Sequence, residues 1–241
     1  MANAQFDLER VKRQIPDIDW YPYSNAEILD NQIRDLCGPE YERLFAPGRT
    51  ILDIGAADGD LSFFLEDRGC VVDAVDNAST NYNGCKAIRA LKEYLNSSVR
   101  LIENDIDWGF TLDRQYDIVV ACGILYHLRN PMLFLTTLAM HAESMVLSTR
   151  TIARVAGRFG SLRDTPVAYL WAPGECNNDP TNYWAFSAAG LARCLQRCGW
   201  NVMRQMTLGA GNLADPVGHD QRTFVLCKRV ENYSDLKRMH M

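Results

Sequence analysis

The sequence lacks any apolar segment long enough to cross a membrane. Such a helix needs about 20 consecutive apolar residues, and no run in this chain approaches that length. The N-terminal stretch MANAQFDLERVKRQIP also lacks the apolar core of a secretion signal. We therefore expect a cytoplasmic protein that has no membrane partner.

Metal-binding and disulfide motifs are also missing. None of the eight cysteines is paired as CxxC, and Cys194 and Cys198, four positions apart on one predicted helix, have no second pair or nearby histidine to complete a zinc site. We therefore predict reduced thiols and no metal. The net charge of −5 gives no general basic surface of the kind that many nucleic-acid-binding proteins have.

The most informative stretch of the sequence is Thr50–Ser79. The apolar run Ile51–Ile54 predicts a buried strand that ends at Gly55, and apolar residues at helical spacing then follow a turn of small residues. Cys70–Val75 predicts a second strand, which ends in Asp76. The stretch therefore has the pattern of one βαβ unit.

The residue types at this turn suit a nucleotide-like ligand. Gly55 and Gly59 can adopt positive φ and allow the backbone to approach a ligand closely. An acid at the position of Asp76 can accept hydrogen bonds from both hydroxyls of a ribose. Asp58 and Asp60, at the start of the predicted helix, would repel a diphosphate but not a positively charged sulfonium.

Two further strand ends carry polar groups. The strand predicted at Val99–Glu103 is followed by Asp105 and Ile106, and the strand predicted at Tyr116–Cys122 leads into the segment GILYHLRNP. In an open α/β sheet the ligand lies at the carboxyl ends of the strands. We therefore expect both segments to line the same site as the glycine turn.

These motifs together resemble those of the class I S-adenosylmethionine-dependent methyltransferases. The resemblance implies an α/β fold with a Rossmann-like sheet of seven strands, mostly parallel with an antiparallel last strand, and helices on both faces. It implies S-adenosyl-L-methionine as the cofactor. The cofactor-binding residues that it implies are Asp53, Gly55, Ala56, Gly59, Asp76, Asn77, Asp105, Ile106, Cys122 and Gly123.

The resemblance covers residues 48–150 by motif and 187–229 by the order of strands and helices, so we predict a single methyltransferase domain over residues 1–241. Residues 1–48 contain two predicted helices and an aromatic cluster, and we expect them to form a helical lid. Residues 150–186, rich in Asn, Pro and aromatic side chains, are expected to be an insertion that shapes the acceptor site.

A second, partial resemblance is to the tRNA wobble-uridine carboxymethyltransferases. It rests on the LYHxRxP ending, with Tyr126 and Arg129, and on the segment NNDPTNYWAF. Those enzymes use N-terminal lysines to help bind a carboxylated cofactor, whereas this sequence has no lysine between Gln14 and Cys85. Transfer of a plain methyl group is therefore favoured.

Three residues are candidates for catalysis: His127, Tyr126 and Arg150. Methyl transfer is an in-line displacement that depends on positioning, and only a protonated acceptor also needs a base. His127 is the candidate base, because an imidazole titrates near physiological pH. The alternative is that His127 only caps a helix or bonds to the backbone.

Arg150, Arg154 and Arg158 are four positions apart and would form one basic stripe if this segment is helical. Such a stripe favours an anionic acceptor. The predicted function is thus methyl transfer to an oxygen or nitrogen of a small, anionic metabolite. Two alternatives are a tRNA-modifying enzyme and a cofactor-binding module without catalytic activity, and the sequence leaves the oligomeric state open.

Overall fold

The computed structural model describes residues 7–23, 25–155 and 160–231, which form two compact units. The first unit comprises the described residues up to Asp105 together with Tyr116–Val120. The second comprises Ile106–Gln115 and the described residues from Ala121 onward.

The first unit contains a parallel sheet of buried apolar strands. Its strands are β1 (Thr50–Ile54), β2 (Val71–Asp76), β3 (Arg100–Glu103) and β4 (Tyr116–Cys122), of which β4 continues into the second unit at Ala121. β1 pairs with β2 and β4, and β2 pairs with β3, always in parallel. Near-continuous apolar runs are typical of such strands, because both faces of a parallel sheet are covered.

Five α-helices lie in the described part of the first unit. They are α1 (Leu8–Lys12), α2 (Ala26–Cys37), α3 (Tyr41–Leu44), α4 (Asp60–Asp67) and α5 (Lys86–Tyr94). The apolar spacing of the sequence predicts all of them except α1.

A buried carboxylate joins three strands of this unit. Asp73 of β2 is 1% exposed and accepts a hydrogen bond of 2.6 Å from the hydroxyl of Tyr116 in β4. Nη2 of Arg100 in β3 lies at the same distance from Asp73 Oδ2. A buried charge needs partners of this kind, because its removal from water costs several kcal/mol.

The second unit is built on an antiparallel sheet. β5 (Ala142–Ile152) pairs with β9 (Gln221–Arg229), and β9 pairs with β8 (Trp200–Gly209), both antiparallel. Two short strands follow β5: β6 (Ala168–Leu170), antiparallel to β7 (Trp184–Ser187), which is itself parallel to β5. The sequence predicts seven strands, β1 to β5, β8 and β9, and the α/β fold with an antiparallel last strand is confirmed.

Helices α6 (Pro131–His141) and α7 (Ala188–Arg197) complete the second unit. The indole of Trp200, which is fully buried, donates a hydrogen bond of 2.9 Å to the carbonyl of Leu135 in α6. Ser187 caps α7 by accepting a hydrogen bond from the Gly190 amide. In the part of the chain that the structure describes, no helix is both long and apolar enough to cross a bilayer.

Gly59 provides a test of the packing in the first unit. Its φ is +85°, and a Cβ there would lie 2.7 Å from side-chain carbons of both Phe63 and Ile88. Gly48 has nearly the same φ, +84°, but nothing lies within 4 Å of its Cβ position. Gly48→Ala should therefore cost only the left-handed backbone strain, about 1–2 kcal/mol, whereas Gly59→Ala should cost about 1–3 kcal/mol more.

Urea denaturation of the two variants, in the absence of ligands, measures this difference directly. Equal losses of unfolding free energy would show that Gly59 is required only for its backbone conformation and not for packing against α5.

Candidate functional site

Asp76 fixes the turn at residues 55–59 in the first unit. Its Oδ2 accepts a hydrogen bond of 2.7 Å from the amide of Ala57, and its Oδ1 accepts one of 2.8 Å from the amide of Asn77. Ala57 has a φ of +52°, which is unusual for a residue other than glycine. The acid at the end of β2 therefore holds the turn that follows β1.

Asp76 keeps the capacity to bind a ligand. A carboxylate offers about four lone-pair positions, and the amides of Ala57 and Asn77 and the side chain of Asn81 do not use all of them. Burial raises the pKa of Asp76, while the amides of Ala57 and Asn77 act in the opposite direction. Its predicted role as the acceptor for ribose hydroxyls is compatible with this geometry and stays a prediction.

Asp53, by contrast, bonds within the protein. It is 5% exposed and accepts a hydrogen bond of 2.6 Å from the hydroxyl of Ser62 in α4. Burial raises the pKa of Asp53 to about 6. In this structure its carboxylate joins β1 to α4.

Asp58 and Asp60 bond to the N-terminal segment. Asp58 is fully buried and accepts hydrogen bonds from the amide of Tyr21 at 2.7 Å and from the side-chain amide of Asn83 at 2.8 Å. Asp60 Oδ2 lies 2.6 Å from Nζ of Lys12, and both side chains are buried. Both carboxylates thus bond to residues that are far away in the sequence.

The other predicted cofactor residues lie at strand ends. In the first unit, Asp105 follows β3 and is exposed. In the second unit, Ile106 is 8% exposed and Cys122 is half-buried at the end of β4. Gly123 follows with a φ of +81°, and its amide donates a hydrogen bond of 2.9 Å to the carbonyl of Ser148.

In the second unit, the predicted acceptor loop contacts the candidate catalytic residues. Tyr126 and His127 lie in the 3₁₀ turn Leu125–His127. The carbonyl of Tyr126 accepts a hydrogen bond of 2.8 Å from the amide of Tyr183. Nδ1 of His127 lies 3.2 Å from the carbonyl oxygen and 3.0 Å from the hydroxyl of Thr181. The structure thus brings together the two predicted segments, which are far apart in sequence.

The partners of His127 determine its tautomer. The hydroxyl of Thr181 donates to Asp179 at 2.6 Å, so both oxygens of Thr181 that face the imidazole act as acceptors. Nδ1 must then carry the hydrogen, and Nε2 keeps its lone pair. Burial lowers the pKa of His127, opposed by Asp179 and assisted by the charge of Arg222. The imidazole is therefore a neutral, oriented base near pH 7.

The guanidinium of Arg150 is buried and already has partners within the protein, so it is not free to bind an anionic acceptor. It lies in β5, is 5% exposed, and donates from Nη1 to the sulfur of Cys176 at 2.8 Å. Its Nε lies 3.2 Å from Asp220 Oδ1, an ion pair without the alignment of a hydrogen bond. Its guanidinium carbon lies 5.5 Å from the ring centre of Trp171.

The predicted helical arginine stripe is wrong for the residues that the structure describes. β5 extends to Ile152, so Arg150 is in a strand, and Arg154 lies in a loop and not in a helix. Arg154 Nη2 is 3.7 Å from Asp215 Oδ2, and Arg158 lies outside the described residues. The four-residue spacing predicted a helix, but strand pairing determines the structure at Arg150. The acidic partners of the two arginines, Asp220 and Asp215, could not be recognised locally because they follow more than 60 positions later in the sequence.

Arg222, at the start of β9, is the functional candidate that the sequence did not reveal. Its Nη2 donates a hydrogen bond of 3.1 Å to the hydroxyl of Tyr126, and its guanidinium carbon lies 5.5 Å from the centre of that ring. Nη1 is 3.3 Å from the position that a Cβ of Gly123 would take. It forms no ion pair with any residue that the structure describes. No motif marks it, because its importance arises only from contact with Tyr126.

Comparison with known proteins gives consistent matches. One curated relative, the mitochondrial ubiquinone biosynthesis O-methyltransferase of Schizosaccharomyces pombe, is 32% identical over 111 residues, or 45% of this chain. The match spans only 40% of that relative's length.

Two solved structures share the fold. The N-terminal domain of EvdMO1 with SAH bound has a TM-score of 0.59 at 18% identity, covering 92% of this chain and 95% of that one. The glycopeptide N-methyltransferase MtfA complexed with (S)-adenosyl-L-methionine has a TM-score of 0.58 at 18% identity, covering 87% and 96%.

A family model described as a methyltransferase domain matches residues 29–205, which is well over half of the chain and includes residues of both units. The protein therefore belongs to the methyltransferase domain family.

Proposed function

We propose that this methyltransferase transfers a methyl group from S-adenosylmethionine to an oxygen or nitrogen of a small, anionic acceptor. The observation that carries the proposal is the arrangement around Tyr126 in the second unit. A neutral base, His127, adjoins it in the chain, and Arg222, a cation that forms no ion pair within the described residues, bonds to its hydroxyl.

The first unit supports the choice of donor. Asp76 keeps acceptor capacity for the hydroxyls of a ribose, and Gly55, with a φ of +73°, begins a turn of small residues beside it. Solved structures of the same fold are complexes with SAH or S-adenosylmethionine. When bound, this donor supplies an electrophilic methyl group on a sulfonium.

His127 supplies the proton acceptor that a hydroxyl or ammonium group needs before it can attack a methyl group. Thr181 holds Nδ1 as the donor nitrogen, so Nε2 is the atom that takes the proton. Positioning of the acceptor by the surrounding side chains contributes the remaining acceleration.

Arg222 takes the role first expected of Arg150. It is held in place by Tyr126, and its donor groups are not used by an acid in the described part of the chain. A guanidinium whose donor groups are not used by an acid suits a carboxylate or phosphate on the acceptor, with which it can form two parallel hydrogen bonds.

Two other segments are proposed to complete the enzyme. Asp58 and Asp60 attach residues 7–23 to the region of the donor turn, which supports a lid function for the N-terminal segment. Thr181 and Tyr183 bond to the turn that carries Tyr126, which supports a role in acceptor binding for the insertion at residues 150–186.

The donor site is tested by Asp76→Ala. This variant loses two hydrogen bonds from ribose hydroxyls to a charged acceptor, each worth about 1.5–3 kcal/mol, so the affinity for S-adenosylhomocysteine should fall ten-fold or more. Isothermal titration calorimetry measures the change. Asp67→Ala, at an exposed acid at the end of α4, is the control and should bind normally.

Because Asp76 also holds the turn, circular dichroism must first show that the variant is folded. Unchanged affinity in a folded Asp76→Ala protein would contradict the donor site.

The base is tested by His127→Ala, for which we expect kcat to fall by about 10² to 10⁴ with an acceptor found by screening. Burial lowers the pKa of His127, so wild-type activity should persist below pH ~6.5 and decline only as the imidazole becomes protonated. The pH profile of kcat/KM should lose this acidic limb in the variant. A small loss with an unchanged limb would mean that positioning alone accounts for catalysis.

The acceptor charge is tested by Arg222→Met, with Arg154→Met as the matched control. Loss of a charge-assisted pair worth about 1.5–3 kcal/mol should raise KM for an anionic acceptor by roughly ten- to a hundred-fold. The affinity for S-adenosylhomocysteine should remain as in the wild type. Equal KM values in the two variants would show that Arg222 does not bind the acceptor.

A further inference from the structure

An exposed aromatic cluster in the second unit consists of Trp108, Arg129 and Tyr183. Trp108 is 69% exposed, the highest exposure among the large apolar residues of this unit that the structure describes. The guanidinium carbon of Arg129 lies 5.8 Å from the centre of the Trp108 ring and 5.1 Å from that of Tyr183. Three flat groups are thus assembled at the surface, and packing within the protein does not account for the exposure of the tryptophan.

One buried acid fixes the arginine of the cluster. Asp107 is 6% exposed, and its Oδ2 accepts a hydrogen bond of 2.9 Å from Nη1 of Arg129. Its Oδ1 accepts a hydrogen bond of 3.0 Å from the amide of Asn130, and its backbone carbonyl accepts one of 2.9 Å from the side-chain amide of Asn130. The charge of Arg129 is therefore already paired with Asp107. A ligand would contact the flat faces of the cluster and would not find an unpaired positive charge there.

The cluster adjoins the turn that carries the candidate base. Arg129 lies two residues after His127, and the amide of Tyr183 bonds to the carbonyl of Tyr126 at 2.8 Å. A group that stacks on these side chains would therefore lie near the turn that carries Tyr126 and His127.

We propose that this cluster is a stacking subsite for a flat aromatic or heteroaromatic ring of the acceptor. Aromatic rings and guanidinium planes bind such rings through their faces, whereas an aliphatic ring or chain gains only area burial. The inference rests on the proposed function and extends it: the acceptor carries an anionic group for Arg222 and a flat ring for Trp108.

The test uses the full chain and two aromatic anions of different size, 3,4-dihydroxybenzoate and AMP. Shikimate, which carries a carboxylate and ring hydroxyls but is not aromatic, is the matched probe. The protein has five tryptophans, and the ¹⁵N-indole NMR signal of Trp108 is identified by its loss in Trp108→Leu. We expect at least one aromatic probe to shift this signal saturably in the wild type, with shikimate binding about ten-fold more weakly.

Variants then locate the effect. Ligand-detected NMR should show about ten-fold weaker binding of the aromatic probe to Trp108→Leu and near-normal binding to Trp108→Phe, because stacking depends on the ring. Tyr94→Leu, which removes an aromatic ring that is 53% exposed in the first unit, is the control and should have no effect.

The proposal is overturned if neither aromatic probe shifts the Trp108 signal, or if Trp108→Leu binds the aromatic probes as tightly as the wild type does. S-adenosylhomocysteine titrated into the same samples separates the two levels of inference. Failure to bind it would count against the proposed function, whereas normal donor binding without ring binding would count against the stacking subsite alone.

Discussion

The hydrogen bond between the carboxylate of Asp76 and the amide of Ala57 is the constraint on which the first unit's site depends. Ala57 adopts a left-handed conformation that costs a non-glycine residue about 1–2 kcal/mol, and the charged acceptor offsets this cost. The turn then delivers Gly59 against α5 and sets the start of α4. That placement in turn puts Asp58 and Asp60 within reach of the N-terminal segment.

Much of the fold could be predicted because its signals are local. Apolar runs bounded by turn residues predicted β1 to β5, β8 and β9, and apolar spacing predicted the helices from α2 onward. β6 and β7 were missed, since they lie in a segment rich in Asn, Pro and aromatic residues that was predicted to be an irregular insertion. The spacing of Arg150 and Arg154 indicated a helix, but Arg150 lies in β5. Pairing of β5 with β9 overrode the local pattern.

The candidate site was predictable to a smaller extent, because the sequence shows which residues are reactive but not what they bond to. His127 and Tyr126 were identifiable from their motif, whereas the connection of His127 to Thr181 requires the folded insertion. The sequence alone does not distinguish the environment of Arg150 from that of Arg222. Only the structure shows that one is buried beside Asp220 and that the other rests against Tyr126.

The ion pair between Lys12 and Asp60 has a consequence for how the N-terminal segment can move. Both charges are buried, and separating them while either stays out of water costs about 3–5 kcal/mol, so intermediate positions of the segment are disfavoured. Displacement of Lys12 from Asp60 therefore requires water to reach both charges together. Because both charges are buried, dissolved salt screens this pair less than it screens an exposed one, so the contact between Lys12 and the start of α4 should persist at an ionic strength that weakens surface ion pairs.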